Sequence, residues 1–326
     1  MREWLVVADD RTGAFEVAAL FAQVVGPVTV TVGAAPVGSG VVDLGSRAMS
    51  AADACQAASA LDASPAAWHA HKIDSTLRGN WAAELVARQR ATGRRAVVLP
   101  GWPELGRTCV GGIVFVDGAP IGSVRDHLAD VDLLADAGAL HVWLDGERMI
   151  AVCDVPNSDA MYAAAKVLVG HDVLVAGPAG PLGATFSAGR VAQPAGSAVR
   201  MIDPVLVVCG SANPASREQL RRLRAARPDV SVIATSAPYG ELHHGAVLEL
   251  VEQARLRIEK LQPRTVLIIG GDTAAALLGE APRVVSGFAA TGMPFSRGAG
   301  GPLIITKAGG FGRPDALVDL IGGENG

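Results

Sequence analysis

Short apolar runs alternate with stretches of helical spacing along most of this chain, and that alternation constrains the fold more than any other feature. Trp4–Ala8 has the pattern of a buried strand and Gly13–Val25 that of a helix, and similar pairs recur to Leu303–Thr306. Strands separated by helices form βαβ units, so the pattern predicts an α/β protein. At about 150 residues per domain, the 326 residues predict two doubly wound, mainly parallel-sheet domains with a cleft between them.

The stretch from Gly177 to Pro204 is rich in Gly, Ala, Pro and Ser and lacks periodicity, as expected of a linker. We therefore predict domains over residues 1–200 and 201–326. Within the first domain, Leu140–Leu144 is predicted to be a strand. Two other short runs flank Asp117-Gly118, a pair typical of type I′ hairpin turns.

Composition excludes several classes of protein. Half of the residues are hydrophobic, which argues against disorder, and the net charge of −4 with 4% aromatics gives no surface suited to nucleic acid. The first apolar run ends at Asp9-Asp10, and the uncharged run Val17–Val42 is broken at Gly26-Pro27, so we expect neither a signal peptide nor a membrane segment. The four cysteines are far apart and form no metal motif, which favours a reducing, cytoplasmic location.

Two consecutive acids, Asp9 and Asp10, directly follow the first predicted strand. Ligands bind at the carboxyl ends of strands in open α/β sheets, where paired carboxylates can act as a general base and as a metal or hydroxyl ligand. Capping of the next helix by Asp10 or Thr12 is the alternative, but it accounts for only one of the two acids.

Cations and hydroxyls follow two further strands. Arg47 comes after Val41–Leu44, where it would suit a bidentate grip on a carboxylate, although a solvated surface arginine is the alternative. The segment from Lys72 to Asn80 offers two cations, an acid and two hydroxyls, enough to hold a polyhydroxylated acid. Arg107 lies in a loop after another strand and is a weaker candidate by itself.

Three glycine-containing loops follow strands in the second half of the chain: Gly210–Pro214, Gly270–Thr273 and Thr306–Gly312. Helix N-termini with small residues present free N–H groups to phosphate, so together these loops predict a nucleotide site. Each loop alone is an ordinary strand-to-helix turn. The P-loop motif and the dinucleotide fingerprint GxGxxG after the first strand are both absent from the sequence.

These motifs, in this order, resemble those of the four-carbon acid sugar kinases, a family formerly known only as a domain of unknown function. The resemblance extends over nearly the whole chain. Arg11 departs from the pattern, since members of the family usually have an apolar residue there. The matching motifs are Ala8-Asp9-Asp10 with Thr12-Gly13-Ala14, Ser46-Arg47, Asp74-Ser75-Thr76 with Arg78-Gly79-Asn80, Pro103 with Gly106-Arg107-Thr108, Gly210-Ser211, Gly270-Gly271-Asp272-Thr273, Gly292 with Pro294, and Lys307 with Gly309 and Phe311-Gly312.

The resemblance implies ATP-dependent phosphorylation of the terminal hydroxyl of an acid such as threonate, erythronate or 3-oxo-tetronate. It places the sugar acid on the N-terminal domain and ATP on the C-terminal domain, with Mg²⁺ bridging the ATP phosphates. The partners implied are small molecules, without nucleic acid or membrane. A homodimer is one of the assemblies that the sequence leaves open.

On this hypothesis Asp10 or Asp9 takes the proton from the attacking hydroxyl, and Lys72 neutralises charge on the transferring phosphoryl group. No residue is assigned to a metal. The substrate-binding candidates are Arg11, Ser46, Arg47, Asp74, Ser75, Arg78 and Arg107. The ATP-binding candidates are Ser211, Gly270, Gly271, Asp272, Thr273, Gly292, Lys307, Gly309, Gly310, Phe311 and Gly312.

Two other classes of function stay open. One is a binding protein of the same fold that holds nucleotide and sugar acid without turnover. The other is an oxidoreductase that uses the glycine loops for a dinucleotide, which the missing fingerprint disfavours.

Overall fold

The structure is a computed structural model that describes residues 2–63, 66–190, 199, 201–238, 244–298 and 300–322. The chain divides into two units, Met1–Gln193 and Pro194–Gly326. Mainly parallel sheets flanked by helices form both units, which confirms the predicted α/β class.

The first unit contains a parallel sheet with the strand order β2-β3-β1-β4-β11-β5-β10-β9. A separate antiparallel sheet has the order β6-β7-β8. The strands are β1 (Arg2–Ala8), β2 (Val28–Val32), β3 (Gly40–Asp43), β4 (Ala66–Lys72), β5 (Arg95–Val98), β6 (Arg107–Val110), β7 (Ile113–Val116), β8 (Ala119–Ser123), β9 (Asp132–Leu134), β10 (Ile150–Cys153) and β11 (Val173–Gly177). The helices are α1 (Arg11–Val25), α2 (Ala51–Ala60), α3 (Trp81–Thr92), α4 (Ala137–Leu144), α5 (Ser158–Val167) and α6 (Ala179–Ser187).

Side chains of β4 show that helices cover both faces of this sheet. The ring of Trp68 lies 5.9 Å from that of Phe21 on α1 and 5.7 Å from that of Phe186 on α6. His71, which points to the opposite face because side chains alternate along a strand, lies 3.2 Å from the carboxylate of Glu84 on α3. The central strands are therefore buried on both sides, as their continuous apolar runs predict.

The predicted hairpin is confirmed at the turn between β7 and β8. Asp117 and Gly118 have φ values of 49° and 83°, the left-handed conformation that a type I′ turn requires at both central positions.

The prediction of a strand over Leu140–Leu144 is wrong, because these residues form the second half of α4. The side chain of Asp136 caps this helix by accepting a 2.8 Å hydrogen bond from the backbone N–H of Ala139. Leu140, Trp143 and Leu144 are buried while Val142 is 71% exposed, which is helical spacing. An apolar run this short is compatible with a strand or a helix, and capping by Asp136 favours the helix.

The interpretation of residues 177–204 as a linker is wrong over its first third, since Ala179–Ser187 forms α6. Gly180 and Gly183 lower helix propensity, yet each allows a close approach: a Cβ on Gly180 would collide with the indole of Trp102. Leu182 and Phe186 are fully buried, so tertiary packing outweighs propensity. Residues 191–198 and 200 of the predicted linker lie outside the described part of the chain.

The second unit has the strand order β13-β12-β14-β17-β16-β15, in which the first four strands are parallel and β16 pairs antiparallel with both β17 and β15. The alternation pattern does not predict these antiparallel pairings. The strands are β12 (Val205–Cys209), β13 (Ser231–Ala234), β14 (Thr265–Ile269), β15 (Arg283–Ala290), β16 (Met293–Arg297) and β17 (Leu303–Lys307). The helices are α7 (Pro214–Ala226), α8 (His244–Leu261), α9 (Gly271–Leu278) and α10 (Ala316–Gly322).

Within the described ranges, none of the helices combines the length and the apolar character needed to cross a bilayer.

Candidate functional site

The polar loops of the first unit meet because three neighbouring strands end at the same level. In the parallel registers of β1 with β3 and of β1 with β4, Ala8 lies opposite both Asp43 and Lys72. The residues that follow these strands therefore share the carboxyl edge of the sheet, where α/β proteins bind ligands.

Arg47 is the centre of this edge, and its guanidinium contacts three carboxylates. The Nη2 atom lies 2.8 Å from Oδ2 of Asp9, and Nε donates a 2.9 Å hydrogen bond to the same oxygen. Contacts of 3.3 Å join Arg47 to Asp10 and to Asp74. Burial alone would lower the pKa of Arg47, but the three carboxylates outweigh burial and raise it.

The two consecutive acids differ in environment. Asp9 is fully buried, and burial together with the neighbouring Asp10 raises its pKa to about 7, against the opposing effect of Arg47 and Lys72. The side chain of Asp10 is 16% exposed and caps α1, accepting hydrogen bonds from the backbone N–H of Gly13 (3.0 Å) and the hydroxyl of Thr12 (2.6 Å). Asp10 can therefore contact a ligand at the surface, whereas the buried Asp9 binds the guanidinium of Arg47.

Lys72 ends β4 beside the first turn of α1. Its ammonium group donates a 2.8 Å hydrogen bond to the carbonyl of Ile73, and the side chain is almost fully buried. A Cβ on Gly13 would lie 2.6 Å from Oδ1 of Asp10 and 2.9 Å from Nζ of Lys72. Only glycine leaves room there for the acid and the cation together.

Asp74 and Arg78 form a bidentate pair with hydrogen bonds of 2.9 and 3.0 Å. Burial alone would raise the pKa of Asp74, but Arg78, Arg47 and the hydroxyl of Thr76 lower it strongly. The side chain of Arg78 is 65% exposed, and its bonds to Asp74 come from Nε and Nη2, which leaves Nη1 for another acceptor.

Glu16 belongs to the same charged cluster, although its sequence context does not single it out. It lies on α1 between two buried apolar residues, one turn beyond Gly13. Burial raises its pKa to about 7, and the charges that act on it are those of Lys72, Asp10, Arg107 and Asp74. In the sequence, a single acid within an apolar helix looks like a solvent-exposed position. Only the folded structure shows which charged groups lie near it.

The raised pKa of Glu16 leads to a prediction about stability. The folded state binds this proton more tightly than the unfolded state, so the contribution is fully present below about pH 4.5 and is lost as the pH rises through about 7. We expect Glu16→Gln to leave the free energy of unfolding unchanged at acidic pH and to raise it by at most about 3 kcal/mol above neutrality.

Urea unfolding followed by tryptophan fluorescence measures this effect, because all five tryptophans belong to the first unit. Glu147→Gln, which changes an exposed acid of the first unit, is the control and should show no comparable pH dependence. A stability difference between Glu16→Gln and the wild type that stays constant with pH would contradict the prediction.

The remaining predicted substrate residues take different places. Arg11 is buried, and its Nε lies 2.6 Å from Oδ2 of Asp43, so this side chain joins α1 to the end of β3 instead of facing a ligand. Ser46 is fully buried, whereas Ser75 is half-buried. Arg107 is only partly buried, and its positive charge opposes the effect of burial on the pKa of Glu16.

In the second unit the three glycine loops come together at the carboxyl ends of β12, β14 and β17, which are neighbours in the sheet. The backbone N–H of Gly270 donates to the carbonyl of Lys307 (3.0 Å), and that of Gly210 donates to Ile269 (3.1 Å). The structure thus brings the predicted loops side by side. Asp272 is exposed in the first turn of α9, and Thr273 is buried behind it.

Several glycines in these loops, and Gly292 in the turn between β15 and β16, lie where a side chain would not fit. A Cβ on Gly309 would collide with the hydroxyl of Ser211, and one on Gly292 would collide with the ring of Phe311. On Gly310 it would lie 3.1 Å from Nδ2 of Asn213. The backbone at Gly309 and Gly310 therefore packs directly against side chains of the Gly210–Pro214 loop.

Lys307 is the last residue of β17, directly before the third glycine loop, and it is fully buried. Burial lowers its pKa to about 8. Its ammonium group donates hydrogen bonds to the carbonyls of Ala308 (2.9 Å) and Gly309 (3.4 Å). In this conformation Lys307 supports the glycine loop from the inside.

Comparison with known proteins finds relatives of both the sequence and the fold. Residues 4–127 match the family described as the sugar-binding N-terminal domain. A D-threonate kinase of Bordetella bronchiseptica is 28% identical, with 96% of this chain and 95% of that protein covered. A D-threonate kinase of Cupriavidus necator is 40% identical over 134 residues, which are 36% of this chain and only 31% of that relative. The resemblance to the four-carbon acid sugar kinases is confirmed.

Two solved structures share the fold of this chain. A Haemophilus influenzae protein of the family DUF1537 superposes with a TM-score of 0.70 at 16% identity, covering 98% of this chain and 99% of its own. A Salmonella typhimurium LT2 protein gives a TM-score of 0.76 at 19% identity, covering 98% of both chains. At these identities the likeness concerns the fold alone.

Proposed function

We propose that this relative of the four-carbon acid sugar kinases is an ATP-dependent kinase that phosphorylates the terminal hydroxyl of a threonate, erythronate or 3-oxo-tetronate type acid. The observation that carries the proposal is the cluster at one sheet edge, where Asp10 remains accessible beside Lys72, Arg47 and Arg78. Such a cluster can bind a hydroxylated acid and take a proton from it. The similarity to a D-threonate kinase along 96% of the chain supports the same reaction.

Asp10 is the proposed base because it is the member of the acid pair that a substrate can touch. Its Oδ2 accepts from Thr12 and lies 3.3 Å from Nη1 of Arg47, which orients the carboxylate. Lys72, held next to it across Gly13, would neutralise charge on the transferring phosphoryl group. Asp9 acts through Arg47 and is a positioning residue.

The carboxylate of the sugar acid is assigned to Arg78, with Arg107 as a second contact. Arg47 already contacts three carboxylates, whereas Arg78 has one partner and is 65% exposed. A planar guanidinium with N–H donors left along its outer edge suits recognition of a carboxylate. Ser75, half-buried between Asp74 and Thr76, is available for a substrate hydroxyl.

ATP is assigned to the glycine loops of the second unit. The loop at Gly309 and Gly310 packs closely against Ser211 and Asn213, and glycine loops at strand ends offer backbone N–H groups that suit a polyphosphate. Mg²⁺ would be held mainly through the oxygens of ATP. Bound Mg²⁺ would supply neutralisation of the phosphate charge.

The test is a panel of four-carbon acids, including D-threonate, L-threonate, erythronate and 3-oxo-tetronates, incubated with ATP and Mg²⁺. We expect ADP release with at least one acid and a monophosphate product at its terminal carbon. Measurable ATP binding without turnover on any acid would favour a binding protein instead. Acid-dependent reduction of NAD or NADP would favour an oxidoreductase.

A further inference from the structure

Two polar residues on α7, Ser216 and Gln219, are fully buried on a helix whose other polar residues are mostly exposed. They lie one turn apart and face the glycine loop that follows β17. Neither belongs to the motifs that the sequence analysis singled out.

Gln219 binds three consecutive carbonyl groups of this loop. Its Nε2 lies within hydrogen-bond distance of the carbonyl oxygens of Phe311 (3.0 Å), Gly312 (3.0 Å) and Arg313 (2.9 Å), so its two N–H donors are shared among three acceptors. The hydroxyl of Ser216 donates to the carbonyl of Gly309 at 2.5 Å. The ammonium group of Lys307, which is also buried, donates a hydrogen bond to the carbonyl of Ala308.

Five of the six carbonyl groups from Ala308 to Arg313 thus have donors beneath the loop. A carbonyl oxygen carries partial negative charge and would repel a phosphate, whereas backbone N–H groups attract one. Turning the carbonyls inward removes acceptors from the outer surface of the loop.

The two ends of the Gln219 amide are used differently. The Oε1 atom is buried and has no hydrogen-bond partner among the residues described, whereas Nε2 serves the loop carbonyls. An apolar residue of similar size would leave those carbonyls without this donor. The feature that distinguishes glutamine here is its pair of amide donors.

We propose that Gln219, assisted by Ser216, is a positioning residue that holds the Ala308–Arg313 loop with its carbonyl oxygens inward and thereby shapes it for the triphosphate of ATP. This inference rests on the proposed function, because it assumes that the loop binds nucleotide. Gln219 itself does not touch the ligand.

The experiment compares Gln219→Glu with the wild type. Glutamate has nearly the same shape but offers oxygen atoms in place of the amide donors, so the carbonyl groups lose their partner. We expect the dissociation constant of a fluorescent ATP analogue, measured without sugar acid, to rise by about 10-fold or more, as the loss of hydrogen bonds to the loop implies. The KM for ATP should rise similarly, and the KM for the sugar acid should stay unchanged.

Gln89→Glu is the matched control. Gln89 is also buried on a helix, and its Nε2 donates to a loop carbonyl, that of Arg94, at 3.1 Å, but it belongs to the first unit. Its substitution should leave nucleotide binding at the wild-type value. Ser216→Ala removes one donor without adding a charge and should weaken ATP binding less, which tests the inference if Gln219→Glu does not fold.

The outcomes separate the two claims. A wild type that binds the ATP analogue and folded variants at Gln219 and Ser216 that bind it equally well would overturn this inference and leave the proposed function standing. A wild type that binds no ATP would overturn both. An equal rise in the KM of ATP and of the sugar acid would show a general structural effect and would also overturn the positioning role.

Discussion

Replacing Arg47 by alanine is expected to lower the free energy of unfolding of the first unit by about 3 kcal/mol, because it leaves three carboxylates without their shared cation. The largest part of this loss comes from Asp9, because its side chain is fully buried and Arg47 is its hydrogen-bonded partner. The pKa of Asp9 already lies near 7, so the loss should be larger above neutrality, where the carboxylate is charged, than at acidic pH. Urea unfolding at several pH values, followed by tryptophan fluorescence, measures it.

Arg148→Ala is the matched control for this substitution. Arg148 also contacts two acids, Asp130 and Asp132, at 3.1 Å, but its side chain is 60% exposed and water replaces it readily. Its removal should leave the unfolding midpoint close to that of the wild type. If Arg47→Ala unfolds at the same urea concentration as Arg148→Ala, the three contacts do not act as one buried network.

Replacing Asp10 by asparagine is expected to lower kcat by about 10²- to 10⁴-fold, the usual contribution of a positioned general base. Asparagine keeps an oxygen that can accept from the N–H of Gly13, so the cap of α1 and the fold should persist. The nucleotide is assigned to other loops, so ATP affinity should stay near the wild-type value. Steady-state kinetics with the best acid of the panel, together with titration of the ATP analogue, measure both quantities.

Asp136→Asn provides the control for Asp10→Asn. Asp136 caps α4 with an equivalent bond to Ala139 but belongs to none of the predicted sites. It should leave kcat unchanged. Wild-type turnover by Asp10→Asn would remove Asp10 as the base and would direct attention to Glu16, a partly exposed acid of the same cluster.

The fold was predictable where local signals agree with one another. Strands such as Val205–Cys209 and Thr265–Ile269 are continuous apolar runs, and the Asp117-Gly118 turn fits only one common hairpin geometry. The prediction failed at α4, where a five-residue apolar run fits either structure. It failed again at α6, where glycines suggest a loop but Trp102 requires Gly180 to lack a side chain.

Candidate site residues were predictable when polar types stand directly after a strand. Asp9, Asp10, Arg47 and Asp74 all do, because the carboxyl edge of a parallel sheet gathers the residues that follow its strands. Arg11 stands in the same place, but its side chain turns to Asp43. Glu16 lies inside a helix, so its position in sequence does not reveal that it faces the same edge.

The sequence by itself determined the parallel α/β architecture, the strand ends that carry charge and the loops that need glycine, because these depend on residue order and on local conformational preference. Only the tertiary structure decided which charges share a partner. Three carboxylates from two separate segments surround Arg47, and an amide from α7 binds a loop 92 residues away. Such contacts depend on how the segments pack, and no local pattern of residues encodes the distance between them.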